Sequence, residues 1–343
     1  MKTVDITENS SIYVKEVNVP KIGKGDVLIK LDGCGICGTD KENLRGDSCK
    51  PSTRLGHEIC GTIIKKGQEV NTKYSEGMRV FVHHHANCNE CHYCQHDNET
   101  MCDNFNDSLD PCGMSEKFVL PEWNVLKDCL IPLPDSISNE EGVLVEPLAC
   151  CIRGWGKIKT KKNDSCVIFG MGTIGIMHAM LAKHYGFNKI FCVDMKEKKL
   201  ELCNKMKLGY CINSKTDNFN LIKKQTWNQG VDLVIIAISD MKVLKHAIEL
   251  VRKGGKIMIF GQPKKNSSFN VDMSKVYSKE ITIQTTYAAT NDNIKTAISL
   301  IEDGLLNIKK LVTHKFSIKN SKEAFQCAIE NDDSIKVMIT SSE

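Results

Sequence analysis

The chain has 343 residues and a formal net charge of +4. That length suits two domains, and so mild a charge lacks the basic stripe that nucleic-acid binding requires. The opening MKTVDITENSSIYVKEVNV has no apolar core behind its lysine, and no window approaches the roughly 18 apolar residues of a membrane helix; the 17 cysteines therefore read as cytosolic thiols and metal ligands, not a disulfide framework.

The first part of the chain reads as β-rich. DVLIKLDGCGI and GTIIKKGQEV are β-branched runs punctuated by glycine, and EGMRVFVHHHANC is a further strand running into a cysteine cluster. Short strands with such turns predict a small barrel or sandwich. After IPLPDSIS the pattern changes. NEEGVLVEPLACCIRGWGKI reads as one helix, with Ser138 or Asn139 as N-cap and Glu140 and Glu141 in its first turn. Strands and helices then alternate. SCVIFG, KIFCVD, GVDLVIIAI, KIMIFG and EITIQTTY are strands. GTIGIMHAMLAKHYG, closed by Gly186, KEKKLELCNKMKLG, closed by Gly209, and MKVLKHAIELVRKGG are helices. That rhythm predicts a doubly wound parallel sheet. The tail adds two helices, NDNIKTAISLIEDGLL and SIKNSKEAFQCAIEND, and a strand, IKVMIT.

Two motifs stand out. CNECHYC carries Cys88, Cys91 and Cys94, and Cys102 follows; four thiols this close together predict a metal. FGMGTIG spaces Gly170, Gly172 and Gly175 as G-x-G-x-x-G, directly after a strand and at the start of a helix. In that context the glycines allow a tight turn and close approach of a pyrophosphate, which the helix N-terminus attracts. The candidate dinucleotide contacts are Gly170, Gly172, Thr173, Ile174, Gly175, Lys199 and Asp194. Asp194 ends the next strand, where a carboxylate accepts the ribose hydroxyls of NAD and repels the 2′-phosphate of NADP. Lys196, Lys198 and Lys199 leave some room for NADP. Cys37, His57, Glu58 and Glu146 offer the sulfur, imidazole and carboxylate donors that suit a catalytic zinc, although sequence distance alone does not join them.

Taken in order, GICGTD, GHE, the C-x2-C-x2-C-x7-C cluster, VEPLA, FGMGTIG with Asp194, and VRKGGKIMIFG resemble the zinc-dependent medium-chain dehydrogenase/reductases, the alcohol and polyol dehydrogenase superfamily. The resemblance covers almost the whole chain and lies nearest the sorbitol, threonine and glucose dehydrogenase branch. It implies a Rossmann doubly wound parallel sheet inserted into a GroES-like β-barrel catalytic domain. Residues 1–145 form the catalytic part, with a structural-zinc lobe at about 86–104; 146–289 form the NAD-binding domain; 290–343 return to the catalytic part. It further implies two zinc ions per subunit. One is catalytic, on Cys37 and His57 with Glu58 and Glu146 as direct, water-mediated or exchanging ligands. The other is structural, on Cys88, Cys91, Cys94 and Cys102, where four thiolates leave no position for substrate. A homotetramer or dimer in the cytoplasm is expected.

The reading is then a dehydrogenase that moves hydride between a secondary alcohol of a polyol or sugar and NAD. Amino-alcohol and simple alcohol dehydrogenases are the alternatives, and a non-catalytic NAD-binding zinc protein is a remote one. Thr39 resembles the family's hydroxyl relay; its other role is an N-cap before KENL. Sorbitol and threonine dehydrogenases usually carry a His where this chain has Glu42, so a threonine substrate is in doubt. A carboxylate there suits several hydroxyls. His83–His85, taken as strand residues, alternate faces and cannot converge on one ion. Arg153 has a substrate or a packing role. Cys34, Cys60, Cys112, Cys150 and Cys151 read as small core residues, and the resemblance implies that Asn291 and Asn293 fall where subunits and substrates of the family approach the cleft.

Overall fold

The computed structural model describes residues 1–7, 11–46, 54–105, 108–217 and 219–341. Cys49 lies outside them. The chain divides into two compact units, Met1–Ala149 with Ala288–Glu343, and Cys150–Tyr287.

The first unit begins with β1 (Lys2–Ile6), β2 (Ile12–Glu16), β3 (Val27–Gly35), α1 (Gly38–Arg45), β4 (Glu58–Lys66), β5 (Arg79–Val82), α2 (His92–Gln95), β6 (Lys117–Leu120), α3 (Glu122–Leu126), β7 (Leu130–Pro132) and α4 (Asn139–Gly142); α5 (Val145–Gly156) leads out of it. The second contains β8 (Ser165–Phe169), α6 (Thr173–His184), β9 (Lys189–Asp194), α7 (Glu197–Lys205), β10 (Tyr210–Asn213), α8 (Asn220–Gln225), β11 (Val231–Ile236), α9 (Val243–Leu250), β12 (Val251–Ile259), α10 (Met273–Ser278) and β13 (Thr282–Thr285). The return to the first unit adds α11 (Asn291–Glu302), β14 (Val312–Ser317), α12 (Ser321–Glu330) and β15 (Lys336–Thr340).

In the first unit a seven-stranded sheet runs β14-β15-β3-β4-β5-β7, with β6 also on β3. The long β3 organises it. One edge pairs with β4; the other pairs with β6 through Val27–Lys30 and with β15 at Cys34 and Gly35. Register shifts at Leu28/Ile29 and Leu31/Gly33 bend the strand so that it can serve three partners. Val27, Ile29 and Leu31 alternate into one core with Ile59, Ile63, Val80, Val82, Val337, Ile339 and Phe325. β15 thus brings the end of the chain beside the start of β4. In the second unit six parallel strands run β10-β9-β8-β11-β12-β13. This is the doubly wound order, whose direction reverses between β8 and β11, and ligands bind such sheets at that reversal. Among the described residues, no helix is long and apolar enough to cross a membrane.

Four local expectations fail. NEEGVLVEPLACCIRGWGKI forms two helices, because Pro147 has no N–H and is tolerated only in a first turn. VRKGG belongs to β12 rather than to the preceding helix; a register shift between Val231 and Leu233 of β11 accommodates Gly254 in the left-handed region. α7 ends at Lys205, and Lys207, not Gly209, takes the left-handed conformation. The strand in EGMRVFVHHHANC stops at Val82, so His83–His85 leave the alternation of a strand and their rings cluster, those of His84 and His85 with centroids 3.7 Å apart.

Candidate functional site

The first donor cluster forms where β3, α1, β4 and β15 meet. Cys37 is the N-cap of α1, so Thr39 lies inside the helix and is not its cap. The Cys37 N–H donates to Asp40 Oδ2 at 2.9 Å, and the Gly56 N–H donates to Asp40 Oδ1 at 3.3 Å. One buried carboxylate therefore ties the segment carrying Cys37 to the segment carrying His57. Asp40 Oδ1 also lies 3.8 Å from His57 Nδ1. The spacing of Asp40 three residues after Cys37 is the sequence signal for this role, which sequence reading missed.

Ligand atoms of Cys37, His57 and Glu58 lie within 4.8 Å of one another. The Cβ of any larger residue at position 35 would sit 2.0 Å from Glu58 Oε2, so Gly35 is what admits the carboxylate. Glu146 is not part of this close group, but it is buried, and its charge acts on both His57 and Lys336. Burial disfavours charge on His57, yet the Asp40 carboxylate and Cys37 sulfur push its imidazole well above the ordinary value. A sulfur, an imidazole and a carboxylate at this spacing fit zinc.

Sequence reading also missed Lys336. Its ammonium donates to Glu58 Oε1 and Oε2 at 2.6 and 2.5 Å, and to the Ile36 carbonyl at 3.2 Å. Burial opposes its charge, but Glu58, and then Cys37, hold its pKa above the usual lysine value. The available signal was a lone charge heading the apolar strand KVMIT.

Thr39 stands beside Cys37, with 3.9 Å between Sγ and Oγ1. Glu42 is half-buried one turn further along α1. The His84 ring approaches His57, with centroids 5.2 Å apart. Burial, then the neighbouring His85 and His57, push His84 well below the usual imidazole range. His83 is pushed down to about 4 by burial, against a 2.7 Å bond to Asn291 Oδ1. Asn291 also donates to the Lys127 carbonyl at 2.8 Å, and Asn293 closes the capping box of α11 with Thr290. Both asparagines thus make structural hydrogen bonds. Cys34, Cys60, Cys112 and Cys151 are buried; Cys150 is partly exposed.

The second cluster is the loop around α2. The sulfurs of Cys88, Cys91, Cys94 and Cys102 lie within 4.8 Å of one another. Backbone N–H groups of Glu90 and Cys91 donate to Cys88 Sγ at 3.5 and 3.3 Å, and the Cys88 N–H donates to Cys102 Sγ at 3.4 Å. The first two of these lower the Cys88 pKa to about 6, which favours a thiolate. A four-thiolate set fits a closed tetrahedral zinc.

In the second unit Gly170 takes φ +94°, and a Cβ at Gly175 would lie 1.7 Å from the Gly170 carbonyl oxygen. Both glycines are required by the turn itself. Gly172 differs: a Cβ there would meet only Lys199 Nζ, at 4.0 Å. The backbone is left open beside a cation at the start of α6, and that cradle fits a pyrophosphate. Thr173 is buried and Ile174 half-buried in the first turn. Asp194 Oδ2 accepts the Met171 N–H at 2.7 Å and Oδ1 accepts the Lys196 N–H at 2.9 Å, so the carboxylate is fixed at the end of β9 against the glycine turn.

Comparison with known proteins gives this geometry its context. An alcohol dehydrogenase GroES-like domain model matches residues 23–135, and a zinc-binding dehydrogenase model matches residues 173–303. The chain is 30% identical to the uncharacterized zinc-type alcohol dehydrogenase-like protein YdjJ of Escherichia coli (strain K12), over 97% of this chain and 96% of that one. It is 28% identical to the sorbitol dehydrogenase of Bacillus subtilis (strain 168), over 99% and 97% of the two chains. A solved oxidoreductase/dehydrogenase of unknown specificity from Escherichia coli superposes with a TM-score of 0.87 at 28% identity, over the whole of both chains. The chain belongs to the zinc-dependent medium-chain dehydrogenases, oxidoreductases that act on CH–OH donors.

Proposed function

We propose that the protein is a zinc- and NAD-dependent dehydrogenase that oxidises a secondary alcohol of a polyol or sugar. The observation that carries this reading is the convergence of Cys37, from one segment, with His57 and Glu58, from another, so that their ligand atoms lie within 4.8 Å of one another. Cys37, His57 and a carboxylate from Glu58 or Glu146 hold the catalytic zinc, and Cys88, Cys91, Cys94 and Cys102 hold a structural one. The catalytic ion supplies Lewis acidity that lowers the pKa of a substrate hydroxyl. Asp40 keeps the segments of Cys37 and His57 in register. The Thr39 hydroxyl accepts the substrate proton and passes it on. Glu42 accepts hydrogen bonds from further substrate hydroxyls, which suits a polyol better than an amino acid.

The glycine turn, Thr173, Ile174 and Lys199 hold the cofactor's pyrophosphate, and Asp194 takes the ribose hydroxyls. A fixed carboxylate there favours NAD over NADP. A cytoplasmic homotetramer is part of the reading. Its support is β13, an edge strand whose Ile283 is exposed and which follows the exposed Met273 and Tyr277.

Replacing Cys37 with Ser tests the assignment. Turnover should fall at least about 1,000-fold, the loss of Lewis-acid assistance, while NADH binding, followed by fluorescence titration, persists. Turnover at the wild-type rate would remove the metal cluster from the mechanism.

A further inference from the structure

The loops that enter the parallel strands of the second unit carry a charge that the chain as a whole does not. Because β8, β9, β10 and β11 run parallel, the segments that precede them, residues 157–164, 183–189, 205–210 and 223–230, lie at one end of the sheet, opposite the glycine turn. Over the whole chain 46 lysines and arginines nearly balance 42 aspartates and glutamates. In these four segments every fixed cation is a lysine, and the only carboxylate is Asp164, whose Oδ2 accepts the Lys161 N–H at 2.7 Å. The helix dipole accounts for lysines in the last turns of α6, α7 and α8, but not for Lys161, Lys162, Lys189 and Lys207. These side chains form a continuous surface. The stem of Lys162 crosses Gly186, where a Cβ would meet its Cγ at 3.2 Å. The Gly186 N–H donates to the Lys183 carbonyl at 3.1 Å, and the Lys183 ammonium donates to the Lys207 carbonyl at 3.4 Å. Trp227 stands at the same end. It is 77% exposed and sits at φ +48°, followed by Asn228 at φ +60°. The Lys189 ammonium lies 4.5 Å from its ring centroid and donates to the Gln225 carbonyl at 2.6 Å.

We propose that this end of the second unit is a docking surface for an anionic lipid membrane. Its charge complements such a surface, and lysines close to anionic headgroups each add to the attraction. The cations are compact ammonium groups on flexible stems, which suit diffuse surface charge; arginine, whose planar fork suits nucleic-acid phosphates and bases, is absent from all four segments. The indole of Trp227 matches the boundary between headgroups and acyl chains, where tryptophan concentrates. Its backbone points the same way. The left-handed region suits glycine at the end of a helix, and a tryptophan held there, largely in water, is placed against its own preference. Lys189 fixes the ring from one side and leaves the other open to the bilayer. The inference concerns attachment rather than catalysis and stands independently of the reaction proposed above.

The test is flotation of the intact protein with vesicles of equal parts phosphatidylglycerol and phosphatidylcholine, and with vesicles of phosphatidylcholine alone. The wild type should float with the anionic vesicles, detach as salt is raised, and ignore the neutral ones. Lys162 and Lys207 are both exposed. The double variant Lys162→Glu/Lys207→Glu should bind anionic vesicles at least about tenfold more weakly, with NADH binding unchanged. Trp227→Gly fits the left-handed turn, so it should not lower the melting temperature, yet it too should weaken vesicle binding at least about tenfold. Brominated lipid should quench tryptophan emission in the wild type and do so less in Trp227→Gly. Absence of binding to anionic vesicles, equal binding to neutral ones, or variants that bind as the wild type does would overturn the proposal. Tighter binding to poly(U) than to vesicles, abolished by the same substitutions, would overturn it as well and assign the face to nucleic acid.

Discussion

Gly172 and Gly175 stand three positions apart in one loop, yet they answer to different forces. A methyl group at Gly175 collides with the Gly170 carbonyl, whereas at Gly172 it enters open space. Gly175→Ala should therefore destabilise the second unit. Gly172→Ala, whose backbone is extended and open to any residue, should shift the melting temperature by no more than a degree or two while weakening NADH binding at least about tenfold, since only the cofactor competes for that space. Equal effects of the two substitutions, by differential scanning fluorimetry and fluorescence titration, would contradict this division. The glycine turn was legible from sequence because its constraints are local. Cys37, His57 and Glu146 could be gathered only through resemblance to a family. Lys336 escaped notice because its partner lies 278 residues away, and no local pattern encodes so distant a pairing.

Among elements, the second unit shows how a half-buried polar link ties neighbouring strands of a parallel sheet. Asp232 on β11 accepts the Ser165 N–H and Oγ–H of β8, each at 2.7 Å, and pairs with Arg252 of β12 at 2.6 Å. Burial raises the Asp232 pKa, but Arg252 and Ser165 outweigh it and hold the group below the usual carboxylate value of 3.8. A depressed folded pKa contributes stability that is fully present above the unfolded value and is lost as pH falls through the folded one. Asp232→Asn should cost about 1 kcal/mol at pH 7, a modest figure because Arg252 is partly exposed. The gap to wild type should close below about pH 4, as the wild-type carboxylate protonates. Urea unfolding across that range checks it; a gap that widens on acidification would show that another group dominates. Most strands and helices of this unit could be read from period and β-branching. Across the chain the failures fell at β12, where a bulge intervenes, at the α4–α5 break, where Pro147 stands, at the end of β5, where the histidines cluster, and at the end of α7, where Lys207 rather than Gly209 turns left-handed.

For the molecule as a whole, the alternation of strands and helices announced the parallel sheet, whereas the sheet of the first unit was legible only in part. Its last strand, β15, arrives after the entire second unit and still pairs with β3. That return is what brings Lys336 to Glu58, and family resemblance implied it where periodicity did not. On the proposed function, the louder cysteine cluster around α2 is the closed staple and the reacting centre lies among quieter residues. The most direct test of this account is cofactor reduction by purified protein over a panel of polyols, sugars, threonine and primary alcohols. It should be run with NAD and with NADP, before metal stripping, after stripping, and after zinc is restored. The account predicts reduction of NAD with a polyol or sugar, its loss on stripping and its return with zinc. Activity that survives complete removal of zinc, or a clear preference for threonine, would contradict it.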